Sequence, residues 1–222
     1  MHTGRGRILE LSLEDGNRYV RISCPDTLVP LPGQYLLASD GSDSLLPVPI
    51  FYTDSAPQGF IGTAADSWEP GDMLHLRGPL GHGFALRVSA RKVALIAFDN
   101  SPSRLRGLIQ PALKQQALVV LLCETGADHL PDEVEVQPLS ALRDILGWAD
   151  FIALDVGRGN LDDLKQKLGE MAHLPALGEA QVLVRTPMPC GGVADCGVCA
   201  VTMKSEWRLA CKEGPVFDLR EV

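Results

Sequence analysis

Apolar and polar residues alternate with a period close to two in Ile8–Leu13, within the first of three short segments, Arg7–Leu13, Tyr19–Cys24 and Gln34–Ala38, that turn residues separate. Successive side chains of a strand point to opposite faces, so such segments read as half-buried strands. Asp15-Gly16, Pro32-Gly33 and Pro70-Gly71-Asp72 punctuate them as turns, and Pro49–Thr53, Gly59–Thr63 and Met73–Arg77 continue the same texture. Short strands joined by such turns predict a small antiparallel barrel or sandwich over residues 1–88.

After Arg91 the pattern changes. Val93–Phe98 and Ala117–Leu122 are continuous apolar runs, the kind buried on both faces of a sheet, and Phe151–Val156 and Gln181–Val184 supply further strands. Between the first two, Ser101 as N-cap and Pro102 at the first helical position predict a helix running towards Gln116, with Pro111 kinking or shortening it. Leu161, Leu164, Leu168 and Met171 recur at helical spacing within Leu161–Leu174. Strands alternating with helices predict a parallel sheet over residues 89–185. The expected class is α+β and multidomain: an N-terminal antiparallel β-barrel, a central α/β unit, and a small C-terminal unit over residues 186–222.

Chemistry concentrates in that last unit. Four of the six cysteines, Cys190, Cys196, Cys199 and Cys211, fall within 22 positions as C-x5-C-x2-C followed by a later fourth. A plant-type [2Fe-2S] site uses C-x4-C-x2-C and a later cysteine, so the first gap here is one residue longer. Gly191, Gly192 and Gly197 suit a loop that takes positive φ and turns backbone N–H groups towards cluster sulfurs, an arrangement that stabilises the reduced state. Zinc would accept the same four thiolates, although zinc ribbons usually present two short pairs rather than three cysteines in one loop. A thioredoxin-like role for Cys196 and Cys199 would need neither Cys190 nor Cys211. Cys24 and Cys123 lie in apolar strands and read as inert core residues.

Charge and composition narrow the partners. A formal net charge of -8 would repel nucleic acid and anionic membrane surfaces alike. The N-terminus carries no apolar signal core and no run is long enough to span a bilayer, which predicts a cytoplasmic protein. Thiols stay reduced there, favouring metal binding over disulfides.

The tail Cys211-Lys212-Glu213-Gly214-Pro215-Val216-Phe217-Asp218, with the cysteine loop, resembles the C-terminal cluster domain of dihydroorotate dehydrogenase electron transfer subunits. Upstream, Gly78-Pro79-Leu80-Gly81-His82-Gly83-Phe84 resembles the segment joining the flavin barrel to the nucleotide domain in that family, and Pro32-Gly33-Gln34-Tyr35, Gly62-Thr63 and Gly71-Asp72 fall where the family has similar pieces. The resemblance spans nearly the whole chain. It implies a flavin-binding-type barrel over 1–88, a pyridine-nucleotide-like α/β domain over 89–185 and a [2Fe-2S] domain over 186–222, docked on a redox enzyme's catalytic subunit. It also implies FAD near Pro49, Gly62 and Thr63. Two departures stand out. The family's flavin-holding arginine and serine are absent from Leu46-Pro47-Val48-Pro49-Ile50-Phe51-Tyr52-Thr53, where Phe51 takes the serine's place. Its glycine-rich nucleotide turn is replaced by Phe98-Asp99-Asn100-Ser101-Pro102-Ser103, and its Cys-Gly-Pro element by Asp155-Val156-Gly157, which disfavours NAD(H).

The leading expectation is therefore an electron-transfer subunit with little turnover of its own. Two alternatives stand beside it: an NADH-dependent flavin reductase with a diverged nucleotide site, and a non-enzymatic interaction module braced by a structural metal. Other residues take plainer readings. Arg104, Arg106 and Arg158 read as surface charge, His75, His82 and His129 as solvated, Trp68 and Trp207 as core packing, and Asp162-Asp163 as first-turn helix charges.

Overall fold

In a computed structural model the chain is described at residues 1–14, 16–41, 46–99, 101–125, 128–169, 178–204 and 206–222. Six strands close a barrel: β1 (His2–Glu14), β2 (Asn17–Ser23), β3 (Tyr35–Ser39), β4 (Val48–Ala56), β5 (Gly59–Thr63) and β6 (Met73–Leu80), in the order β1-β2-β5-β4-β3-β6. Every pairing in it is antiparallel. Alternation does the work expected of it. Leu74 and Leu76 of β6 face the barrel core with Ile22, Leu36, Ile50 and Phe60, while Met73 and His75 face out. Trp68 closes that core, 1% exposed, whereas Trp207 is 66% exposed and is not the packing residue it was expected to be.

The central sheet has the order β14-β11-β10-β7-β8-β9. Its parallel strands are β7 (Lys92–Ala97), β8 (Leu118–Leu122), β9 (Val134–Gln137), β10 (Phe151–Gly157) and β11 (Glu179–Arg185), and β14 (Val216–Asp218) joins antiparallel at one edge. The sequence tail thus completes a sheet begun over a hundred residues earlier. Each face buries its own apolar layer. One layer runs on through Tyr35, Leu37 and Leu80 of the barrel to Cys199, Val201, Met203 and Cys211, so the cysteine loop is built on core shared with barrel and sheet.

The helix expected from Ser101 to Gln116 is two helices, α1 (Ser103–Arg106) and α2 (Ile109–Lys114). Pro111 is not the breaker; it sits in the first turn of α2, where its missing N–H costs no helical bond. The break follows α1 at Gly107, which is pressed against the Tyr52 ring so closely that a Cβ would collide with it. Ser101 does not cap α1 either. It is buried, and its hydroxyl lies 3.3 Å from that of Tyr19 on the barrel. Further along come α3 (Leu142–Trp148) and α4 (Leu161–Gly169), with Asp162 and Asp163 in the first turn of α4. Met171 and Leu174 lie outside the described residues.

Candidate metal centre

The cysteine loop leaves the sheet after β11 and returns through the hairpin of β12 (Ala200–Thr202) and β13 (Trp207–Leu209) into the short α5 (Ala210–Glu213). Cys199 and Cys211 flank the hairpin, one just before β12 and one in α5, so its antiparallel register brings them together. Their sulfurs are 3.1 Å apart and buried. Cys190 and Cys196 form a second pair at 3.6 Å on the outer side, with Cys196 exposed. All four are free thiols. Cys190 also interacts with Cys211, so the two pairs adjoin.

Four adjoining thiols are a donor set that a two-iron cluster or a single tetrahedral metal could use. Two thiolates on a single tetrahedral metal stand about 3.8 Å apart for metal–sulfur bonds of about 2.3 Å. Two adjoining pairs near that spacing offer two thiolates to each of two irons, as a [2Fe-2S] cluster requires. Backbone geometry agrees: Gly191 and Gly192 have φ of +53° and +83°, values that L side chains rarely adopt. A Cβ on Gly191 would lie 2.5 Å from Leu37 Cδ1 and 2.6 Å from Arg77 Nη2, so the extra residue in the first gap is folded tightly against the barrel.

Cys190 and Cys211 are perturbed in opposite directions. Burial works to raise the Cys190 thiol, but backbone hydrogen bonds at Ala194 and Gly192 and contacts with the Cys196 and Cys211 thiols outweigh it and hold the thiol below its ordinary value. Burial, then the neighbouring Cys199, pushes Cys211 up to about 12. Displacing the proton from Cys211 is therefore harder than from Cys190. Cys24, in the barrel core, is pushed up to about 11, first by burial and then by Asp26, as befits an inert thiol.

Three tethers hold the loop, and all rest on residues with no marked role in the sequence pattern. Arg77 of β6 donates from Nη2 to the Cys190 carbonyl at 2.6 Å. Arg158, beyond β10, donates to the carbonyls of Val198 and Ala200 at 2.7 and 3.2 Å, bracketing Cys199. His82 donates its backbone N–H to Gly214 O at 2.6 Å, and its ring Nδ1 lies 3.0 Å from Glu213 O. Arg158 and His82 are thus structural and not merely solvated. Arg77→Ala is expected to leave the fold intact yet lose iron to a chelator several-fold faster than wild type. An unchanged rate would show that the loop holds its shape without the tether.

The residues expected near FAD lie on neighbouring strands of the barrel. Pro49 pairs with Leu37, and Gly62 packs against Ile50 and the Phe51 carbonyl. The Thr63 hydroxyl accepts from Phe51 N–H at 3.4 Å. Phe51 itself is buried between the Tyr35 ring, 5.6 Å away, and the Arg104 guanidinium, 5.7 Å away. Arg106 pairs with Glu14 of β1, tying α1 to the barrel.

At the carboxyl ends of the parallel strands, where doubly wound folds bind nucleotides, the chain places charges that satisfy one another. Asp155 accepts from Arg185 Nε at 2.7 Å and from Arg104 Nη1 at 3.4 Å, and Arg185 also pairs with Asp99. Asp99 further accepts from Gly157 N–H and Asn160 Nδ2, each at 2.8 Å. Arg104 and Arg106 are therefore ion-paired and only 18% and 16% exposed, not surface charge.

Comparison with known proteins agrees with this geometry. Residues 186–222 match the family described as the iron-sulfur cluster binding domain of dihydroorotate dehydrogenase B. The electron transfer subunit of dihydroorotate dehydrogenase B (NAD(+)) from Desulforamulus reducens is 28% identical, across 92% of this chain and 91% of the relative. The chain is thus similar to these electron transfer subunits over most of its length, and to the iron-sulfur family in its last 37 residues. Its fold is ferredoxin-reductase-like. The structure of an NADH-dependent reduced ferredoxin-NADP oxidoreductase superposes with a TM-score of 0.75 at 17% identity, covering 98% of this chain and 89% of that one. A ferredoxin reductase of carbazole 1,9a-dioxygenase gives 0.61 at 17% identity, covering 79% and 65%. No helix among the described residues is long and apolar enough to cross a membrane.

Proposed function

We propose that this chain is the electron-transfer subunit of an oxidoreductase, holding a [2Fe-2S] cluster on Cys190, Cys196, Cys199 and Cys211 and exchanging single electrons with a catalytic subunit. The observation that carries the reading is the pairing of four free thiols, two and two, three from a glycine-rich loop and one from α5. When bound, the cluster supplies one-electron chemistry. The chain's own residues hold it and control access. Cys199 and Cys211 anchor it in the core; Cys190 and Cys196 turn it outwards, so the partner is met on the side of the exposed Cys196.

In this reading residues 1–88 and 89–185 serve as the frame, and residues 186–222 as the cluster domain, in a cytoplasmic complex. Self-paired charges at the nucleotide end of the sheet argue against independent NADH turnover, and no electron step is assigned to flavin at Pro49, Gly62 and Thr63. The test is the visible spectrum of anaerobically purified protein, with iron, acid-labile sulfide, zinc and flavin quantified on one sample. About two irons and two sulfides per chain, with bands that bleach on dithionite, are expected. A colourless protein with stoichiometric zinc would replace the relay by a braced interaction module.

A further inference from the structure

Tyr35 opens β3 and is 0% exposed. Its ring lies against Phe51 and beneath Gly81, where a Cβ would come within 3.2 Å of Tyr35 Cε1. Its hydroxyl has no hydrogen-bond partner among the described residues. A buried hydroxyl without a partner costs about 1–3 kcal/mol, and phenylalanine would fill the same volume without that penalty. The surroundings show what the hydroxyl lacks. Across Gly81 the ring faces Gly214, which ends the helix that carries Cys211, and Leu37, two residues along the same strand, meets Gly191 of the cysteine loop; after burial itself, Cys211 and then Cys199 most oppose ionisation of the hydroxyl. Tyr35 shares that apolar layer with Cys199 and Cys211 and is enclosed by it. None of the four thiols is itself a hydrogen-bond partner of this hydroxyl, so an acceptor would have to come from what the thiols hold.

We infer that the Tyr35 hydroxyl donates a hydrogen bond to a sulfur of the iron–sulfur cluster and raises its reduction potential. The inference rests on the proposed [2Fe-2S] reading. A donor to sulfur is strengthened as the cluster gains negative charge, so it favours the reduced state; removing it makes reduction harder. The same hydroxyl is a liability without the cluster, since it then has no acceptor.

The experiment compares wild type, Tyr35→Phe and a variant carrying 3-fluorotyrosine at position 35, each as the full loaded chain. Midpoints are read by EPR-monitored redox titration, and apo-protein stability by urea denaturation. Tyr35→Phe is expected to retain the cluster and lower the reduction equilibrium constant about tenfold, which at 59 mV per decade for one electron is about 60 mV more negative. The fluorinated residue, a stronger donor of nearly the same shape, is expected to move the midpoint the opposite way. Apo Tyr35→Phe should be at least as stable as apo wild type. A packing role would give neither the opposed shifts nor the stable apo variant. Equal midpoints in all three loaded proteins would overturn the inference, as would a destabilised apo Tyr35→Phe. If Tyr35→Phe fails to load, the fluorinated variant decides alone. Wild type without iron would instead sink the cluster reading itself.

Discussion

Cys211→Ser is expected to give a colourless protein that stays folded, with iron below about a tenth of the wild-type value, because the affinity of such a site depends on every thiolate it can supply. Cys211 and Cys199 are buried 3.1 Å apart, away from the solvent that would have to stand in for a lost ligand. A serine there leaves a weak donor facing an iron, and costs about 1–3 kcal/mol as an underused buried hydroxyl. Cys190→Ser should also lose the cluster, but less completely, since Cys190 is half-buried and its partner Cys196 is exposed, so solvent can occupy a vacated position. The ordering of residual iron, with the outer pair above the inner pair, is the result to look for. Equal loss at all four positions would argue that the loop collapses as a unit, and an unchanged iron content in Cys190→Ser would remove that residue from the ligands.

How much of this was legible beforehand differs by element, and the reasons are physical. The barrel was readable because one face of each strand is wet and the other dry, which writes period two into the sequence; β6 shows it as Leu74 and Leu76 in, Met73 and His75 out. The parallel strands were readable from their unbroken apolar runs. Val216–Asp218 gave no such signal: three residues are too few for a period, and only the tertiary fold delivers them to the edge of β11. The break at Gly107 was invisible for a similar reason, since it answers to the Tyr52 ring and not to any neighbour in sequence. At the candidate site the four cysteines were evident from spacing, but their division into an inner and an outer pair follows from the β12–β13 hairpin. Arg77 carries no local mark at all, and nothing near Arg158 or Tyr35 in sequence marks either for a role at the cysteine loop. Each acts on the loop across 39 residues or more of intervening chain, and nothing short of a fold can relate a guanidinium on a barrel strand to the Cys190 carbonyl.

The charges at the carboxyl end of the sheet make the second large expected effect. Asp155→Ala should lower the unfolding free energy by about 3–5 kcal/mol, the usual cost of stripping one partner from a buried ion pair. Asp155 is 1% exposed, and its two oxygens serve Arg185 and Arg104, both more than four-fifths buried. Without it two guanidinium groups would face each other with only Asp99 between them, and Asp99 is already engaged by Gly157 and Asn160. Against a typical total of about 5–15 kcal/mol, that loss would leave the protein marginal near body temperature. Urea titrations should show a reduced midpoint with an unchanged slope, meaning the same surface is exposed on unfolding. The companion double variant, Asp155→Leu with Arg185→Met, should recover much of the loss, because an apolar pair of similar volume carries no desolvation cost. A loss under about 1 kcal/mol in Asp155→Ala would mean that water reaches and screens these charges. The edge would then be open to a ligand, and the argument that this chain has closed its nucleotide site with its own side chains would fall.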